Sequence, residues 1–112
     1  MTQAPKDPQE LTGAQVAADL VALQAGAVVS RTLVKQPMGT VTVFAFDAGE
    51  GLSEHTAPFD ALVMDLQGEA DVLISGVPHR VSAGMLIRLP AGQPHAIKAI
   101  TPFKMMLIMI RA

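Results

Sequence analysis

From Gly26 onward the chain is cut by Gly or Pro at almost every junction, and between the cuts lie short runs rich in β-branched and aromatic residues. Val28 to Val34 and Thr40 to Phe46 flank Pro37-Met38-Gly39, and Ala61 to Leu66 and Ala70 to Ile74 flank Gln67-Gly68-Glu69. Ser75-Gly76 precedes a short segment from Pro78 to Val81, and Met85 to Leu89 lies between Gly84 and Pro90. Thr101-Pro102 divides His95 to Ile100 from Phe103 to Ile110. Gly and Pro supply the special dihedrals of turns, whereas branched side chains fit a pleated, half-buried surface. Short strands spaced in this way predict an all-β sandwich or closed barrel. No segment after Gly26 is periodic over the length of a helix.

The chain before Gly26 reads differently. Residues 1–10 carry two prolines among polar neighbours and read as a loose arm. Thr12 is placed to cap a short helix from Gly13 to about Leu23, with Gln15 three residues on as in a capping box. Val16, Leu20 and Leu23 recur at helical spacing, and Gly26 stops the run. The expected organisation of the 112 residues is one domain, with an arm (1–10), a short helix (11–25) and a barrel (27–112).

Composition narrows the function classes. The formal net charge is −2 and the Lys and Arg residues are scattered, so the basic face that nucleic acid or an anionic membrane demands is not expected. No cysteine is present, which excludes disulfides and thiolate metal sites. The first residues lack the apolar stretch of a signal peptide, and Met105 to Ile110 is far too short for a membrane span. A cytoplasmic protein is the expectation. Phe103 to Ile110 is apolar on both alternating faces, although a strand lining one core alternates with polar residues. One face fills the barrel. The other calls for cover from the N-terminal segment or from a second copy in a homodimer.

Two stretches resemble the paired motifs of the cupin superfamily. Gly49, His55 and Gly68 match the first motif, and Gly84, Pro90, Gly92 and His95 match the second at the family's spacing. The resemblance implies an antiparallel jelly-roll barrel of about six to eight strands with the short helix at its N-terminus. It also implies a divalent metal site for iron, manganese, zinc or nickel, with His55 and His95 as ligands. Departures are plain: Ala57 stands where the family has a second histidine, Ala61 where it has a glutamate, and Ala99 where it has an asparagine. The turns have their own mechanical reading, because Gly92 and Pro94 bend the chain sharply before His95. Rigid turns that place both histidines at strand starts allow them to converge inside the barrel.

Asp60 is the candidate for a third, weaker metal ligand, giving the two-histidine, one-carboxylate set of non-haem iron. Strand parity opposes it. If Ala61 points inward, Asp60 points outward, while Asp65 points inward and Leu62, Met64 and Leu66 outward. That requires a buried outer face or a bulge. Arg88 sits among apolar neighbours and is expected to pair with a carboxylate such as Asp65. His79 reads as an exposed strand residue. Met64, Met85, Met105, Met106 and Met109 read as core filler rather than copper ligands. His55, Ala57, Ala61 and His95 together predict a small pocket with apolar walls. Three functions stay open: a metal-dependent enzyme such as an oxygenase or isomerase, a metal-free barrel that binds or senses a small metabolite, and a structural dimer module with buried histidines.

Overall fold

The structure, a computed structural model, describes Leu11 and residues 13–111. Its strands are β1 (Val28–Gln36), β2 (Gly39–Phe46), β3 (Gly51–His55), β4 (Asp60–Gln67), β5 (Ala70–Ile74), β6 (Val77–Val81), β7 (Leu86–Leu89), β8 (His95–Ala99) and β9 (Phe103–Ile110). They form two antiparallel sheets, β1-β2-β9-β4-β7 and β3-β8-β5-β6, packed face to face as a jelly roll. Among the described residues nine strands replace the expected six to eight. The addition is β3, whose Gly-Leu-Ser-Glu-His sequence offers one apolar residue and no alternation of its own. It is an edge strand, and pairing with β8 holds it in place.

Burial in β4 alternates as parity predicts: Ala61, Val63 and Asp65 are buried, with Asp60, Leu62, Met64 and Leu66 half-buried on the other side. Phe46, Phe103, Met105, Val63 and Val72 fill the space between the sheets, and the Phe46 and Phe103 rings stand 5.4 Å apart. Gly68 makes the β4–β5 turn at φ 81°, and a side chain there would run into the Pro102 carbonyl. That close approach ties the turn to the start of β9.

The expected helix over 11–25 is reduced to one 3₁₀ turn, Ala17–Leu20. Its N-cap, Val16, is extended and has no side-chain cap bond, and the capping role expected of Thr12 falls outside the described residues. Packing overrides the helical pattern. Leu20 and the extended Val21 are buried against Leu33, Val43 and Ala45, whereas Val16 and Leu23 stay exposed. Lys104 Nζ donates to the Ala18 carbonyl at 2.7 Å and Arg31 to the Leu20 carbonyl at 3.3 Å, so carbonyls that a helix would satisfy internally find partners on the sheet.

This turn covers part of the outer face of the larger sheet, with Met106 and Leu66 packed against it. Val41, Ile108 and Leu62 stand side by side on β2, β9 and β4, all three half-buried with Val41 packed against the cluster beneath the N-terminal turn, and Ile110 and Leu86 are exposed. Both faces of β9 are apolar because one lines the core and the other lies partly beneath the N-terminal segment.

Candidate functional site

The two histidines meet. His95 opens β8 as expected, but His55 closes β3 rather than beginning a strand. A register shift between Leu52 and His55 brings His55 opposite His95. Continued without that shift, the ladder would set Glu54 opposite His95 instead. The two Nε2 atoms lie 3.0 Å apart, and the rings cross edge to face with centroids 4.2 Å apart. His95 is 7% exposed and His55 is exposed.

The other ring nitrogens face backbone. His55 Nδ1 lies 3.0 Å from the Ser53 carbonyl and His95 Nδ1 lies 3.4 Å from the Gln93 carbonyl. A carbonyl only accepts, so each of these contacts needs a proton on Nδ1. Satisfying both leaves two Nε2 lone pairs facing each other. Three contacts need three protons, and a neutral pair carries two. A third proton is disfavoured at His95: burial lowers its pKa, the neighbouring His55 lowers it further, and the Gln93 carbonyl only partly opposes them.

Around the pair is a cavity of about 40 Å³. Leu52 and Ile97 line it from the smaller sheet, Ala61, Leu89, Met105, Leu107 and Met109 from the larger one, and Ala57 from the connecting loop. The expected pocket residues His55, Ala57, Ala61 and His95 all line it. Holding one water takes about 10–15 Å³ on this scale, so there is room for an ion with a water or two, or for the head of a larger ligand. Met109 is the register partner of Ala61, beside the small side chain that stands at the family's glutamate position.

Asp60 is not brought to the imidazoles. Its Oδ1 accepts from the Ala91 amide at 2.8 Å and its Oδ2 from Arg88 at 3.0 Å. The Ala91 amide holds this carboxyl below the usual carboxylate range; burial opposes it and Arg88 adds to the lowering. Asp60 lies at the outward parity of β4, as strand alternation requires. The same alternation separates Arg88 from Asp65: Arg88 sits opposite outward-facing Leu62, so it pairs with Asp60 instead. Among the described residues no three His, Cys, Asp or Glu side chains gather in a group that would hold a metal ion. With alanine at two ligand positions and Asp60 engaged elsewhere, the donor set does not fit the divalent ion that the superfamily's motif implies.

Asp60 nevertheless serves the pair. The segment from His55 to β4 and the segment from β7 to His95 are joined twice, by Asp60 to Ala91 and by the Gly92 amide to the Ala57 carbonyl at 2.9 Å. Sequence reasoning found Asp60 and gave it another role; Ala91 carried no signal, because its contribution is a backbone N–H. Met85, expected in the core, is exposed, and its sulfur accepts from the Ser82 amide and hydroxyl. His79 is exposed on β6 as expected.

The architecture is that of a small jelly-roll barrel with a histidine pair on the lining of an apolar cavity. The chain belongs to the cupin domain family, whose model matches residues 42–111. A conserved protein of unknown function from Streptococcus pyogenes is similar over 91% of each chain, with 35% identity and a TM-score of 0.85. A cupin superfamily protein from Desulfitobacterium hafniense is 28% identical over 88% of this chain and 90% of its own, with a TM-score of 0.84. A cupin 2 conserved barrel domain protein from Leptotrichia buccalis is 43% identical over 84% of this chain but 46% of its own, with a TM-score of 0.81. No curated protein matches the sequence.

Proposed function

We propose that this barrel is a ligand-binding module whose binding centre is the His55–His95 pair. One observation carries the reading: the two Nε2 atoms lie 3.0 Å apart on the lining of an apolar cavity, and if both Nδ1 atoms donate to the carbonyls they face, the two Nε2 lone pairs are left facing each other. Such a centre takes a group that accepts an electron pair, namely a cation or the hydrogen-bond-donating head of a small molecule. An enclosed metabolite of ordinary size is not favoured, because typical ligand pockets are several-fold larger. A larger molecule would insert its head only. The oxygenase or isomerase reading needs an ion with at least three protein donors, and the pair supplies two.

The test uses nitrogen-resolved NMR of the imidazoles while small fragments and metal salts are added singly. Resonances of His55 and His95 should respond to at least one addition, and His55→Ala and His95→Ala should fold yet lose that response. If no fragment or ion perturbs either ring, the pair is a structural contact and the proposal fails.

The barrel further self-associates, in our reading, through the row formed by Val41, Ile108 and Leu62. These side chains support it because the N-terminal turn packs against Met106 and Leu66 beside them, while exposed Leu86 and Ile110 extend the apolar surface. An isologous homodimer is the simplest assembly that buries such a row.

A further inference from the structure

A second concavity lies away from the histidine pair, where the β1–β2 hairpin meets the end of β9. It is an open cleft of about 390 Å³ lined by Lys35, Gln36, Pro37, Thr40 and Arg111. Ligand pockets commonly hold about 300–1,000 Å³, so this cleft has room for a whole small molecule that the barrel cavity lacks. We infer that the cleft is a binding site for a phosphorylated small molecule, with Lys35 and Arg111 as the phosphate-binding cations.

Charge is the first support. Both cations line one cleft, and its lining contains no carboxylate. Among the described residues the ion pairs join Arg80 to Glu69 and Asp71, and Arg88 to Asp60. Neither Lys35 nor Arg111 takes part in one. Two like charges in one concavity repel each other, and an anion between them turns that cost into attraction.

The second support is that Arg111 is held in place. Its amide donates to the Met38 carbonyl at 2.8 Å, which ties the end of β9 to the hairpin turn. Its guanidinium carbon stands 4.8 Å from the centre of the Phe59 ring. An aromatic face holds the guanidinium plane and leaves its N–H edge free to donate. Lys35 is set across the hairpin from Thr40 by strand register, and Pro37 stiffens the turn between them.

The donor set selects the anion. A carboxylate has two oxygens, which the fork of Arg111 alone can satisfy. A phosphate monoester carries roughly −2 charge and three acceptor oxygens, which match two cations and the Thr40 hydroxyl. The Gln36 amide and the Pro37 ring then face the organic remainder. Register also relates the cleft to the barrel: Lys35 pairs with Thr40, Thr40 with Met109 and Met109 with Ala61, so one row of side chains runs from the cleft to the cavity lining. The inference does not rest on the histidine pair.

The test is an NMR titration of the full chain at neutral pH, with chloride used to hold ionic strength constant. The probes are inorganic phosphate, phenyl phosphate, and benzoate as the carboxylate counterpart of the ester. Both phosphates should shift the amide resonances of Gln36 and Thr40 and the Arg111 side-chain Nε resonance saturably, and benzoate should bind about tenfold more weakly than phenyl phosphate or worse. Lys35→Gln and Arg111→Gln, each with an unchanged circular dichroism spectrum, should weaken phenyl phosphate by about tenfold or more. Lys35 lies on an edge strand and is exposed, so its variant tests the site even if Arg111→Gln disturbs the end of β9. Lys98→Gln, an exposed change on β8 outside the cleft lining, should leave binding as in the wild type. The inference is overturned if neither phosphate gives a saturable shift, if benzoate binds as tightly as phenyl phosphate, or if Lys98→Gln weakens binding as much as Lys35→Gln. The imidazole resonances of His55 and His95 report the other centre in the same spectra, so either reading can fail while the other stands.

Discussion

Asp60 accepts a 2.8 Å hydrogen bond from the Ala91 amide, and this bond joins the segment leaving His55 to the segment entering His95. The second oxygen of Asp60 faces Arg88 on β7, so the carboxylate is braced from the sheet while it holds the loop. Its contribution to the site is to fix the distance between two rings that it does not touch.

Replacing Asp60 by Ala removes both bonds. The barrel should still fold, because Asp60 is not part of the core, but the imidazole pair should lose its fixed geometry. The expected readout is a change in the His55 and His95 nitrogen shifts in Asp60→Ala. Asp60→Asn, which keeps an oxygen acceptor for Ala91, should restore much of the wild-type pattern. Arg88→Ala should perturb the pair less than Asp60→Ala. Equal nitrogen spectra in wild type and Asp60→Ala would remove the clamp from the account.

Gly92 makes the second connection, from its amide to the Ala57 carbonyl, and sits at φ 79° with open space where a side chain would project. Gly92→Ala therefore meets no clash and suffers only the left-handed backbone penalty, about 1 kcal/mol. A modest fall in the urea midpoint is expected from this change, with a larger effect on the imidazole pair than on global stability. A loss of several kcal/mol would show that the turn holds more of the barrel than His95.

Much of this architecture was legible before any coordinates. Runs such as Ala70 to Ile74 and Phe103 to Ile110 became strands with those bounds, because branched residues flanked by Gly or Pro have few other options. Gly51–His55 was not legible: an edge strand can be polar, and its pairing depends on β8. The N-terminal helix failed for a related reason, since Leu20 and Val21 bury best as an extended step onto Val43 and Ala45. At the site, motif spacing singled out both histidines. It could not supply the register shift that sets His55 opposite His95, nor the engagement of Asp60 by a backbone amide, because both depend on how two loops approach. The pairing of Met109 with Ala61 likewise appears only once β4 and β9 are in register.

The outer row on the larger sheet gives the next prediction. Ile108 pairs with Val41 on one side and Leu62 on the other, at the centre of the proposed contact between copies. Ile108→Glu places a charge there without touching the core between the sheets. Sedimentation equilibrium should show wild type at twice the chain mass and the variant at the mass of one chain, with imidazole resonances unchanged. Wild-type protein that remains monomeric at tens of micromolar would refute self-association through this face.

Asp65 leads to a prediction about pH. It points inward from β4, is 1% exposed, and neither carboxylate oxygen has a hydrogen-bond partner among the described residues. Burial pushes its pKa up to about 6, Glu69 adds to the rise, and the nearby Gln67 amide opposes it without reaching bonding geometry. The native state thus prefers the protonated carboxyl, whereas the unfolded chain ionises near 3.8. The favourable contribution is full below pH 3.8 and is lost as pH rises through about 6. The two-unit shift corresponds to at most about 3 kcal/mol of lost stability. Urea midpoints should therefore fall between pH 5 and pH 8 in the wild type. Asp65→Asn, neutral at both values, should show a smaller fall, and Asp65→Leu should be more stable than wild type at pH 8. If the asparagine variant reproduces the wild-type pH dependence, the carboxylate is stabilised by a partner in solution and its burial does not control the response.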